Sequence, residues 1–180
     1  QRNKVLCFCY RDFLNYTFEA KVLDRYPQQG KDRHYYKFPD SLSQFCFPSG
    51  IHFTKIRSTP SYFSFMLTDS EGQHIYGSTL LFDEVLEDNL KNKLKQNFIH
   101  DVESIYTQKA ICILSHYSFS ESFKETLKQL YRIHLSKSHI PVERYVVNIM
   151  DEISIPDKGN IKIIHEIGNQ HIQFYRPIDQ

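Results

Sequence analysis

Nine consecutive residues, Lys109-Ala110-Ile111-Cys112-Ile113-Leu114-Ser115-His116-Tyr117, form an apolar run with polar ends. Such a run suits a strand buried on both faces. The period then changes. Phe119, Phe123, Leu127, Leu130 and His134 recur at helical spacing, so they mark the buried stripe of a helix. Ser118 and Glu121 have the Ser-x-x-Glu spacing of a capping box, in which side chains satisfy the first free amides. A buried strand that gives way at once to an amphipathic helix restricts the chain to layered folds, with helices lying against a sheet.

The flanking segments fill in that arrangement. Residues 4–10, Lys-Val-Leu-Cys-Phe-Cys-Tyr, suit a central strand. Residues 24–44 are polar and punctuated by Pro27, Gly30 and Pro39, which predicts a surface loop. The short apolar stretch Phe45-Cys46-Phe47 ends in the turn Pro48-Ser49-Gly50. Residues 61–68 read as a strand, and Asp69-Ser70-Glu71-Gly72 turns it into a second strand from Gln73 to Phe82. Between 83 and 108, Leu86, Leu90 and Leu94 are spaced for an amphipathic helix or a partly ordered connection. Lys91, Lys93 and Lys95 there are balanced by Glu84, Glu87 and Asp88, so they read as a solvated face. A further helix is predicted from Pro141, a residue suited to a first helical position. Its apolar face is Val142, Tyr145, Val146, Ile149, Met150 and Ile153, and Pro156, Gly159 and Asn160 stop it. Ile161, Ile163, His165 and Ile167, then Gly168-Asn169, then Ile172 and Phe174 predict a closing hairpin. Strands cluster early and helices late, so the fold class is α+β, with helices on one side of a mostly antiparallel sheet.

Composition narrows the function. Lys and Arg number 22 against 21 Asp and Glu, and this balance gives no reason to expect nucleic acid or an anionic membrane as partner. The 14 Phe and 12 Tyr supply large apolar area for a core or an interface. No apolar run approaches the ~18 residues needed to span a bilayer, and no signal peptide is evident. Cys7 and Cys9 lack the Cys-x-x-Cys spacing of a zinc site. With Cys46 and Cys112 they are expected to be buried free thiols in a reducing compartment. The chain begins at Gln1 without Met and is expected to be a piece of a larger protein.

Motifs for bond-making chemistry are weak. The six glycines form no Gly-x-x-x-x-Gly-Lys phosphate loop, and no His-Glu-x-x-His occurs. Ser115 and His116 are adjacent, and adjacent strand residues point to opposite faces, so they do not form a nucleophile–base pair. His116 is expected to be structural. Asp69 and Glu71 are too few carboxylates for a calcium loop and read as solvated turn residues. No catalytic residue, metal or cofactor is expected.

Two ordered sets of motifs carry a resemblance. The first is Arg25-Tyr26-Pro27, Phe45-Cys46-Phe47-Pro48-Ser49-Gly50, Phe63-Ser64-Phe65-Met66-Leu67-Thr68 with Gly72, and Tyr76-Gly77. It resembles the upstream region of DENN domains. The second is Lys109 to Phe119, continuing through Phe123, Leu127, Leu130 and Tyr131, with Ile140 to Tyr145 and Ile153 to Gly159. It is similar to the start of the core DENN region. The resemblance implies a longin-like lobe over 1–140, an antiparallel sheet flanked by helices. A helix, linker and hairpin over 141–180 would lead into a second lobe. It further implies a guanine nucleotide exchange factor without covalent chemistry. Its partners would be a Rab-family small GTPase and the remainder of the DENN domain. The protein would be cytoplasmic and able to sit peripherally on vesicle or organelle membranes through its full length. A DENN-like scaffold without exchange activity is the alternative. The chain stops soon after Pro177, so most of the core and downstream regions are expected to be missing, and the piece alone to be a poor exchange factor. The family supplies no catalytic residue to carry over. The GTPase-facing surface is placed at the strand-to-helix corner, Tyr117, Ser118, Phe119, Glu121 and Ser122, with Asp69 and Glu71 of the hairpin turn as second choice. Tyr117 and Phe119 are equally readable as core rings.

Overall fold

A computed structural model describes residues 17–27, 39, 41–69, 71–97, 104–136, 139–159 and 162–176. The strand expected at residues 4–10, with Cys7 and Cys9, lies outside the described residues, as do 28–38. The elements in chain order are α1 (Leu42–Cys46), β1 (Phe53–Thr54), β2 (Ser61–Thr68), β3 (His74–Val85), α2 (Asp88–Asn97), β4 (Tyr106–Ser115), α3 (Ser120–Leu135) and α4 (Val142–Val147). A π-helical turn (Asn148–Glu152) and strands β5 (Lys162–Ile167) and β6 (Gln170–Tyr175) follow. One sheet has the order β1-β4-β3-β2 and the other is the β5-β6 pair. Leu86, just past β3, donates its amide to the carbonyl of Ile105, just before β4, at 2.8 Å, so these two strands run antiparallel. The fold is α+β and longin-like in its antiparallel strands and helices. The chain divides into two compact units, with the division falling within β2, β3 and β4.

The first unit comprises 1–22, 40–61 and 81–110. Residues 24–44 are not all loop: α1 begins at Leu42 and buries Leu42 and Cys46, spaced four apart on one helical face. Gly50 turns the chain at φ +72, where an added Cβ would overlap Thr17. Phe18 and Ile51 exchange amide hydrogen bonds of 2.9 Å, and Phe18 meets Phe53 edge-on at 4.8 Å. β3 runs on through Val85, longer than expected, because Phe82 and Asp83 are buried and Asp83 accepts the Ser58 amide at 2.7 Å. Leu86 therefore belongs to the strand end and is buried, while Leu90 of α2 is exposed, so no Leu86–Leu90 stripe forms. Sheet pairing overrides helical spacing here. Glu84 and Lys109 form a half-exposed ion pair between neighbouring strands, which contributes at most about 1 kcal/mol.

The second unit comprises 23–39, 62–80 and 111–180. The β2–β3 turn is closed by Asp69, whose Oδ1 accepts the amides of Glu71 and Gln73 at 2.8 Å each, with Gly72 at φ +81. Along β2 the larger Phe63, Phe65 and Leu67 alternate with exposed Ser64, Met66 and Thr68. Opposite Phe65, Gly77 is a contact surface: a Cβ there would enter the Phe65 ring. α3 buries Phe123, Thr126, Leu127, Gln129, Leu130 and Tyr131, but His134 is exposed. Half-buried Ile133 packs instead against the core cluster that α3 shares with the hairpin.

The core of this unit lies where α3 meets the β5–β6 hairpin. Phe119, Phe123, Ile167, Ile172 and Phe174 form one buried cluster. The three rings meet edge-to-face, 5.8 Å for Phe119–Phe123, 5.7 Å for Phe119–Phe174 and 5.9 Å for Phe123–Phe174. Each such ring contributes on the order of 2–3 kcal/mol by burial. Each ring pair adds about 0.5–1.5 kcal/mol. Pro141 is the N-cap of α4 rather than its first helical residue, being extended at ψ 147. Tyr145, Ile149 and Ile153 pack on the cluster, whereas Met150 is exposed. The wider π-helical turn winds less per residue, which keeps residues four apart over the same surface. The hairpin forms as the alternation predicts, with Ile167 paired to Gln170 around Gly168-Asn169 and Gly168 at φ +60.

Two consequences can be measured. Phe174→Ala is expected to cost about 3–5 kcal/mol in urea unfolding. Gly77→Ala is expected to cost about 1–3 kcal/mol by overpacking, with the loss largely recovered in a Gly77→Ala, Phe65→Leu double variant.

Candidate partner-binding corner

The corner is built by how β4 ends. Ser115 Oγ accepts the amide of Tyr117 at 3.0 Å and turns the chain out of the sheet. The Phe119 amide then donates to the Tyr117 carbonyl at 3.1 Å, and α3 starts at Ser120. Phe119 is the N-cap, with no side-chain cap bond, so the predicted Ser118–Glu121 capping box does not form. The reason lies in packing. Burying the Phe119 ring fixes the helix start one residue later than a Ser118 cap requires.

The corner residues divide by environment. Phe119 is buried and takes the core reading. Tyr117 is half-buried, stacked on Phe119 at 5.8 Å and covered by the Arg176 guanidinium 4.4 Å from its ring centre. Ser122 Oγ donates to the Gln173 carbonyl at 2.5 Å and so fastens α3 to the hairpin. Glu121 is exposed and pairs with Lys124 at 3.3 Å, an interaction largely screened by water. Ser118 lines a cleft.

That cleft, about 220 Å³, opens beside the corner. Ser64, Phe65 and Met66 of β2 and Tyr76, Gly77 and Ser78 of β3 form one side; Ser118, Phe119, Ser120 and Phe123 form the other. The lining mixes rings with small hydroxyls, and Met66, 55 % exposed, stands at it. Such a surface accepts an apolar side chain flanked by hydrogen-bonding groups. Asp69 and Glu71 do not line it; Asp69 spends its carboxylate on the turn amides. Of the ten lining residues only Ser118 and Phe119 were placed at the candidate surface from sequence; the other eight, Ser64, Met66, Ser78 and Ser120 among them, were not. Tyr76-Gly77, already notable as a motif, was the available signal, because the glycine marks a close approach in the sheet.

Reactive groups at the corner are engaged structurally. His116 is exposed with Nδ1 3.3 Å from the His74 carbonyl, and Ser115 Oγ serves the Tyr117 amide rather than His116. Away from the corner, Cys46 is buried, and Cys112 of β4 is half-buried. Among the described residues no group of three His, Cys, Asp or Glu could hold a metal ion. No helix among them is long and apolar enough to cross a membrane.

Comparison with protein-family models gives two matches in chain order. The uDENN domain matches residues 20–82, from the segment before α1 through most of β3. The DENN (AEX-3) domain matches residues 106–180, starting with the first residue of β4 and including the corner, α3 and the hairpin. No solved structure matches the chain. The sequence motifs, the antiparallel strands and these two consecutive matches agree, and the chain belongs to the DENN-domain proteins.

Proposed function

We propose that this chain supplies the upstream region and the beginning of the core of a DENN-type exchange factor, which binds the switch segments of a Rab-family GTPase and promotes GDP release. The observation that supports it most is the uDENN and DENN matches in succession, since DENN domains are typical of Rab exchange factors. On this reading residues 1–140 form a longin-like lobe and 141–180 lead toward a second. The protein works in the cytoplasm, on the surface of vesicle or organelle membranes.

The physics of exchange suits the corner. An exchange factor binds the nucleotide-free partner more tightly than the loaded one, and by linkage nucleotide and factor weaken each other's binding. That requires a rigid, shaped surface and no reactive group. Tyr117, Ser118 and Glu121, together with Met66 across the cleft, offer a half-exposed ring, a hydroxyl, a charge and a pliable thioether on fixed elements. Phe119 acts beneath them as the support, and Ser122 as the fastening to the hairpin.

The test is nucleotide release. The full-length protein is mixed with a panel of Rab GTPases carrying fluorescent GDP. At least one is expected to lose GDP faster, and Met66→Asp is expected to cut that acceleration about tenfold, equivalent to roughly 1.4 kcal/mol of lost binding. Folded protein that accelerates no member of the panel rules the reading out in favour of a scaffold.

A further inference from the structure

Tyr62 belongs to no motif singled out in the sequence. It stands on β2, and its phenol oxygen meets both sides of the cleft. It donates its proton to the Ser120 carbonyl at 2.9 Å and lies 3.1 Å from Ser78 Oγ. Ser78 and Ser120 line opposite sides of the cleft, while Tyr62 itself does not line it. A phenol has one proton. With that proton given to a carbonyl, the remaining contact requires Ser78 to donate to Tyr62. Ser78 is 2 % exposed, so its hydroxyl has no ready exchange with bulk water. The relay Ser78 to Tyr62 to Ser120 is therefore directional and joins the middle of β3 to the first residue of α3. Lys124 lies 5.8 Å from the centre of the Tyr62 ring, one helical turn beyond Ser120.

We propose that Tyr62 is a positioning residue that sets the width of the cleft by tying its two walls together through one oxygen atom. The helix start has no side-chain cap. On the cleft side this bond joins it to the β2–β3 strands. The opposite side of α3 is held separately, by Ser122 on Gln173 and by the rings around Phe174. Removing the phenol oxygen frees the cleft wall without dismantling the core. The role for the partner rests on the exchange-factor reading; the latch itself does not.

Tyr62→Phe and Ser78→Ala in the full-length protein test this, with two readouts. In the first, amide hydrogen exchange at Phe123 and Lys124 is expected to speed up about three- to tenfold in Tyr62→Phe, the size of one lost hydrogen bond, and less in Ser78→Ala, which leaves the Tyr62–Ser120 bond in place, while the β5–β6 amides stay unchanged. In the second, kcat/KM for GDP release from a responding GTPase is expected to fall about tenfold in Tyr62→Phe, with the thermal midpoint nearly unmoved. Unchanged exchange at Phe123 and Lys124 overturns the latch whatever the GTPase result. Faster exchange with undiminished GDP release overturns the positioning role. Faster exchange in a protein whose wild type releases no GDP upholds the latch and removes the exchange-factor reading alone.

Discussion

The edge-to-face packing of Phe119, Phe123 and Phe174 is the contact on which the second unit depends. Phe119 is the last residue before α3, Phe123 lies one turn into it, and Phe174 comes from the far strand of the hairpin. Three rings from three positions in the chain therefore fix the start of the helix, its rotation about its own axis and the seat of the hairpin at once. Because rings prefer a narrow set of mutual angles, the arrangement is specific as well as apolar. The missing cap follows from it. With Phe119 at the N-cap, a ring that carries no acceptor for helix amides, α3 begins without that help and relies on packing.

The same contact accounts for the corner's stiffness. Tyr117 is held between Phe119 below and Arg176 above, and Ser122 reaches the Gln173 carbonyl. The hairpin is thus a brace for the strand-to-helix turn, although it lies some fifty residues away in sequence. For the proposed exchange-factor role such bracing matters, because any ordering left to the moment of binding subtracts from affinity. The cleft between the β2–β3 strands and the start of α3 adds a concave feature with a methionine at its opening.

Much of this architecture was legible from residue order. The β2–β3 hairpin follows from alternation around a turn ending in Gly72, and the closing hairpin from alternation around Gly168-Asn169. The α3 stripe was legible as far as Leu130; in the last turn Ile133 packs on the cluster shared with the hairpin and His134 is exposed. The failures share a cause. Leu86, spaced for a helix, lies instead just past the end of β3, where its amide bonds the Ile105 carbonyl. Ser118, spaced for a cap, yields to Phe119. In each case a local pattern competed with a contact whose partner lies farther along the chain, and that contact prevailed.

The amino-acid order by itself determined the class of element at most positions, the family and the general location of the corner, because periodicity and turn chemistry act over a few residues. Only the tertiary structure decided which corner residues are support and which are surface, since Phe119 and Tyr117 are both aromatic and differ chiefly in burial. It alone also revealed the cleft and the Tyr62 relay. These join residues 16 and 58 positions apart, and no local pattern records which distant groups a fold brings within hydrogen-bonding distance of one oxygen.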